Sequence, residues 1–246
     1  FHWSNVLELT IPASVKELKY GWNLNSRLSH VKIDPRNKYF KIIDKKMIVG
    51  KSDPYSENFD TLNSAISDIY HAQIPSYIKY IAPYCFANTK SLREITFSED
   101  SELLSIDENS FNGSYLRNIS LPSKLHHLAD GWCNSMKKLA FFSVSKNNKK
   151  FASIDNKMIV AKSDSKSEDF DILVIISSKI EEFTVPSNIK YIAPFCFTNC
   201  KKLKTVIFPD DSELLSIGKN AFSNTKIETI SLPKKLREMS DLFSDK

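Results

Sequence analysis

The sequence predicts a solenoid, a chain wound into stacked coils that share one apolar interior. Three observations predict it. Segments return at a fixed spacing of 111 residues: Lys46-Met47-Ile48-Val49 as Lys157-Met158-Ile159-Val160, Tyr80-Ile81-Ala82-Pro83 as Tyr191-Ile192-Ala193-Pro194, and Leu103-Leu104-Ser105-Ile106 as Leu214-Leu215-Ser216-Ile217. That period divides into short repeats of 23 or 24 residues and one longer repeat of 40. A phenylalanine recurs once in most short repeats, as Phe86, Phe111, Phe197 and Phe222. Self-similarity at a fixed period is the mark of units that bury their apolar faces only against each other.

The repeats are placed at 11–33, 34–73, 74–96, 97–120, 121–144, 145–184, 185–207 and 208–231, with a partial one at 232–246, all in a single domain over residues 1–246. Pro75, Pro122, Pro186 and Pro233 fix the turn that leads into a repeat. Leu92-Arg93-Glu94-Ile95, Leu116-Arg117-Asn118-Ile119, Leu203-Lys204-Thr205-Val206 and Ile227-Glu228-Thr229-Ile230 each bracket two polar residues with two apolar ones, the pattern of short strands stacked side by side. The phenylalanines suit an aromatic spine. The residue before each is Cys85, Ser110, Cys196 or Ala221, always small, so that column is sterically tight. In the long repeats, 157–162 with 170–175 reads as a β-hairpin with a hydrophilic, mobile tip at 163–169. Lys46 to Gly50 with a partner strand around Phe59-Asp60-Thr61-Leu62 repeats it less strongly, since Leu62-Asn63-Ser64-Ala65 is more polar.

Composition narrows the function classes. The 246 residues are 41% hydrophobic and 11% aromatic, which suits an ordered core. Against 29 acidic residues stand 34 basic ones, a net charge of +5, and the lysines come in pairs such as Lys137-Lys138 and Lys201-Lys202 rather than in a dense block. A solvated face is expected from them, not a nucleic-acid footprint. No apolar run reaches the ~18 residues of a membrane span. Phe1-His2-Trp3 is no basic n-region, so no signal peptide is visible. A chain without an initial Met that stops inside a repeat is expected to be part of a longer one, with room elsewhere for an export signal or anchor.

Together these marks resemble the BspA-like leucine-rich repeat proteins. They are Ile-Pro-x-x-Ile-x-x-Ile-x-x-x-x-Phe in Ile74 to Phe86 (Val185 to Phe197 with Val first), Ser-Ile-x-x-x-x-Phe in Ser105 to Phe111 and Ser216 to Phe222, the Leu-x-x-Ile strand after each, and the insert that opens at Asn148-Lys149-Lys150-Phe151. The resemblance covers about Ile11 to Leu242. It implies a right-handed leucine-rich repeat solenoid whose strands line one face, with turns or short helical segments opposite, in two copies of a 111-residue super-repeat that each carry a β-hairpin insert. It also implies a surface-exposed or secreted protein of a host-associated bacterium or parasitic protist, linked with adhesion to host cells, matrix or other microbes through a protein or surface glycoconjugate ligand. The chain departs from the pattern in having five glycines, in Asp107-Glu108 and Ala82-Pro83 where Ile-Gly is common, and in Trp132-Cys133 and Trp22-Asn23 where a small residue and Phe are usual. The third short repeat must therefore pack differently.

No chemistry announces itself. Cys196 and Cys200 form a CxxxC pair with no histidine nearby. Cys85 and Cys196 fall in the small buried column, Cys133 beside Trp132, and Cys200 aligns with Thr89 on a loop. Adjacent His126 and His127 face opposite sides of an extended segment, a poor start for a metal site. No serine-nucleophile, P-loop or dinucleotide signature occurs, so no catalytic, cofactor or metal residue is assigned. The carboxylates of 98–102 and 210–213 lack the spacing of a calcium loop. Asn112-Gly113-Ser114 and Asn118-Ile119-Ser120 make Asn112 and Asn118 candidate glycan acceptors if a eukaryote secretes the protein.

What remains is a surface. Outward ladder positions form one column with Ser29, Arg93, Arg117, Ala140, Lys204 and Glu228, and a second with His30, Glu94, Asn118, Phe141, Thr205 and Thr229. Arg93, Glu94, Arg117, Asn118, Phe141 and Lys204 are the candidate contact residues, with the arginines and Phe141 as anchors. The expectation is a non-enzymatic interaction module, part of a cell-surface adhesin. The alternative is an intracellular, cytoplasmic scaffold that mediates protein–protein interaction. An array cut within its repeats exposes an apolar end, so end-to-end self-association, or association through Leu236 and Leu242, is also expected.

Overall fold

The computed structural model describes residues 1–243. They contain twenty short β-strands and no helix. The partial repeat at 232–246 thus ends outside the described residues. Turns alone stand where turns or short helical segments were expected. Backbone conformation gives the reason: Tyr84 and Asn88, and likewise Asn109 and Gly113, adopt positive φ four residues apart and interrupt any right-handed helical run. The chain resolves into two compact units, one of residues 1–116 with 127–133, the other of 117–126 with the chain from Asn134 on.

In the first unit the Leu-x-x-Ile face gives a parallel ladder of two-stranded pairs rather than the continuous stack expected, with His71–Ile74 beside Glu94–Phe97 and Glu8–Ile11 beside His30–Ile33. A second ladder stands apart from it. Tyr80–Ile81, Ser105–Ile106 and His127–Leu128 pair in parallel and continue through Thr61–Ala65 into antiparallel Met47–Gly50 and Lys41–Ile43, a six-stranded sheet. These two-residue strands, with Ile81 and Ile106 wholly buried, are too short for alternation to reveal in the sequence.

The second unit is built the same way. Its six-stranded sheet runs Phe151–Ile154, Met158–Ala161, Ile172–Ile176, Tyr191–Ile192, Ser216–Ile217 and Glu238–Met239, with two-stranded ladders Asn118–Leu121/Phe141–Val144 and Glu182–Thr184/Thr205–Ile207. Strands open at Met47 and Met158, Thr61 and Ile172, Tyr80 and Tyr191, and Ser105 and Ser216, each pair 111 residues apart.

Each insert is a three-stranded meander, one strand more than the expected hairpin. Its first turn has Asp44 and Lys45, or Asp155 and Asn156, at positive φ, the hand that matches strand twist. The polar tip is tied at its base: Asp60 accepts from Ser52 N and Oγ, both at 2.9 Å, and Asp171 from Ser163 N at 2.8 Å and Oγ at 2.7 Å. Where the chain leads into each insert, a buried asparagine is fully satisfied. Asn148 Nδ2 donates to Pro122 O and Leu125 O, and its Oδ1 accepts from Lys150 N and Phe151 N, all within 2.9 Å. Asn37 makes the equivalent four bonds in the first unit.

The aromatic spine is present in both units. Phe86, Phe111, Phe197 and Phe222 are all 0% exposed. Phe86 and Phe111 stack with centroids 5.1 Å apart, Phe197 and Phe222 with centroids 4.8 Å apart. Trp132 meets Phe111 edge-on at 6.0 Å, which is the different packing the third short repeat demanded. The small column is buried throughout, with Cys85, Ser110, Cys196 and Ala221 between 0 and 2% exposed. At the retained glycine crowding is visible, because a Cβ on Gly218 would lie 2.5 Å from Pro194 N.

Candidate interaction surface

The polar residues of the Leu-x-x-Ile strands point away from the core because the two apolar residues point in; Ile227–Ile230, expected as a fourth such strand, forms none, although Ile227 and Ile230 still pack against the core. Arg93 and Glu94 lie in the first unit, and Arg117, Asn118, Phe141 and Lys204 in the second. Strand register places Asn118 directly beside Phe141, whose ring is 59% exposed while Phe142 next to it is buried. The Arg117 carbonyl accepts from both Ala140 N and Phe141 N, and the Arg117 and Lys204 side chains are exposed.

Arg93 is unlike the rest because it is half-buried and held. Its guanidinium carbon lies 5.9 Å from the Tyr70 ring centroid and 5.6 Å from that of Tyr115. Its Nη1 donates to Lys90 O at 2.7 Å and to Leu92 O at 3.2 Å. The sequence reading missed Tyr70 because that rung lay inside a long repeat. Register shows the signal: His71 pairs with Glu94, which puts Tyr70 in the column of Arg93. His71 Nε2 lies 4.0 Å from Glu94 Oε2, so Glu94 carries an ion pair when His71 is protonated. The acceptor candidates differ as well. Asn118 is exposed, whereas Asn112 is half-buried and donates to Asn109 Oδ1.

The first unit also contains a groove of about 1170 Å³ along its six-stranded sheet. Thr61, Asn63, Tyr80 and Asp107 contribute from successive rungs, Tyr20 and Tyr39 from neighbouring loops. Burial raises the pKa of the Asp107 carboxyl, opposed in part by His127 and by a hydrogen bond from Ser105.

Cys85, Cys133, Cys196 and Cys200 are buried, and none is in a disulfide. Cys200 lies on a loop, as Thr89 does, and is buried there: it is 0% exposed, and its thiol lies 3.5 Å from Ser177 O. Burial pushes the Cys85 and Cys200 thiols well above the ordinary range, the opposite of what a reactive thiolate requires. Leu236 and Leu242 are half-buried and pack against the core of the second unit. Among the described residues, no three His, Cys, Asp or Glu side chains gather to hold a metal ion, and no helix is long and apolar enough to cross a membrane.

Known structures share this architecture. The pneumococcal vaccine antigen PcpA superposes with a TM-score of 0.67 at 21% identity, over 95% of this chain and 55% of its own. A leucine-rich cell surface protein from Faecalibacterium prausnitzii gives 0.64 at 18% identity, over 94% and 62%. A leucine-rich repeat protein from Eubacterium ventriosum gives 0.58 at 19%, over 97% and 59%. The chain thus spans little more than half the length of these structures, and identities this low speak for the fold alone. Among curated proteins nothing matches significantly. The family model for the BspA type leucine-rich repeat region matches in six copies, over residues 63–163 and 175–245. Those copies cover well over half of the chain, including the spine and the first two strands of the second insert, and the chain belongs to the BspA-type leucine-rich repeat family.

Proposed function

We propose that the protein is a non-enzymatic interaction module, part of a cell-surface adhesin that binds macromolecules of a host or microbial surface through Arg93, Glu94, Arg117, Asn118, Phe141 and Lys204. The observation that carries this reading is the Arg93 frame. A guanidinium set between two tyrosines and fixed by two carbonyls has already lost most of its rotamer freedom, so a partner meets an ordered anchor. Tyr70 beside it is 65% exposed, the aromatic and arginine combination that dominates binding energy at interfaces. The names of two similar structures, a vaccine antigen and a cell surface protein, favour the surface. Self-association through an exposed array end belongs to the same proposal. A strict monomer in light scattering at high concentration would count against it.

The test has two arms. Antibodies against the chain should label intact cells of the source organism, and purified chain should bind host cells or matrix at least about tenfold more weakly once Arg93→Ala is introduced. Labelling only after permeabilisation, or undiminished binding by the variant, overturns the reading.

A further inference from the structure

Asn63 is the extra residue of a β-bulge. Ile48 pairs with Ser64 and Val49 with Leu62, so Asn63 has no partner across the sheet. A bulge re-aims the side chain of its extra residue. Here it aims Asn63 into the groove of the first unit, where the residue is 8% exposed and its Oδ1 has no hydrogen-bond partner. The Oγ1 of Thr61, on the same strand and lining the same groove, is also buried and unpartnered. Two orphaned oxygens side by side are costly, which calls for a reason.

The fold does not supply one. The second unit has the same bulge, between Ile159/Val160 and Leu173/Ile175, and there the equivalent positions are Val174 and Ile172. The coil closes equally well with apolar side chains at both places. The polar pair therefore belongs to what the groove receives. We infer that this groove is a binding site for an oligosaccharide, with the hydroxyls of one sugar ring donating to Asn63 Oδ1 and Thr61 Oγ1.

Three features select that ligand class. The floor is the face of a sheet, since Thr61–Ala65 is paired on one side with Met47–Gly50 and on the other with Tyr80–Ile81, so an extended peptide finds no free edge to add to. The orphaned atoms require donors at short spacing, which vicinal hydroxyls provide. Tyr20, Tyr39 and Tyr80 line the same groove and offer apolar rings with polar tips to the C–H faces of a sugar. Lys16, Lys19 and Lys51 also line it against Glu17 and Asp107, a net positive lining that favours a saccharide that carries a carboxylate. The inference is independent of the Arg93 surface and of where the protein resides.

Saturation-transfer NMR and calorimetry on the whole chain test it, with 3′-sialyllactose as the acidic probe, lactose as the neutral one and a glutamate-rich decapeptide as the competing class. The variant is Thr61→Ile/Asn63→Val, which copies the second unit. Sialyllactose should bind more tightly than lactose, and the variant should weaken it roughly tenfold or more while melting at or above the parent temperature. A variant that melts below the parent overturns the claim that the polar pair serves a ligand rather than the fold. No signal from either saccharide at about 10 mM, or a signal that the variant keeps, overturns the site. Decapeptide binding that the variant abolishes overturns the ligand class, and lactose binding more tightly than sialyllactose overturns the role of Lys16 and Lys19.

Discussion

Phe86 and Phe111 lie ring on ring, their planes 5° apart and their centroids separated by 5.1 Å, although they stand 25 positions apart in the sequence. Each is wholly buried, and the small residue before it lets neighbouring turns approach this closely: Phe86 N donates to Ser110 O at 2.7 Å. The repeat spacing thus becomes a stack whose geometry is set by one aromatic and one small residue per coil.

Truncating one ring should open a hole that the rigid turns cannot close. Phe111→Ala is expected to cost the first unit about 3–5 kcal/mol, and Phe111→Leu roughly 1–2 kcal/mol because most of the volume stays. All three tryptophans, Trp3, Trp22 and Trp132, lie in that unit, so urea unfolding followed by tryptophan fluorescence reads it directly. Equal stability of Phe111→Ala and the parent would refute the stacked spine.

Asn148 makes four hydrogen bonds, two as donor and two as acceptor, and so chemistry rather than size defines the position. Asn148→Ala should cost about 2–4 kcal/mol, since two carbonyls and two N–H groups lose their partner. Asn148→Asp keeps the shape but turns a carboxylate toward the carbonyls of Pro122 and Leu125, so at neutral pH it should be the worse of the two. Thermal melts of both variants check the order, and an aspartate variant as stable as the parent would contradict the assigned bonds.

The columns that set the core were legible because they recur: the phenylalanines, the small residues before them and the Leu-x-x-Ile strands each appear at one phase of the repeat. The second ladder was not, because Tyr80-Ile81 and Ser105-Ile106 are too short to show a period of two. Nor was the setting of Arg93. Tyr70 sits where a long repeat hides its last strand, and only register brings the two into one column. The polarity of Asn63 was visible, and it weakened the strand assignment. The bulge that explains it appears only when both sides of the pairing are known.

All four cysteines are between 0 and 5% exposed, which makes thiol chemistry a probe of opening. Native protein at pH 8 should react with a thiol reagent only as fast as it opens, and all four should react at once in denaturant. Fast labelling of any cysteine in the native state would contradict its burial, that of Cys200 above all.

Asp107 makes stability depend on pH with a definite sign. Burial, opposed in part by His127 and Ser105, sets its folded pKa above the ordinary carboxylate value near 3.8. Between the two values the folded state holds more proton than the unfolded chain, so stability falls as pH rises through that window and stays lower above it. Asp107→Asn removes the effect. The variant and the parent should melt alike near pH 3, where the carboxyl is protonated in both states. As pH climbs past the ordinary carboxylate range the variant should gain relative to the parent, and the gap should then level off. A gap that narrows over that range would mean the carboxylate is stabilised in the groove, and the burial assigned to it would be wrong.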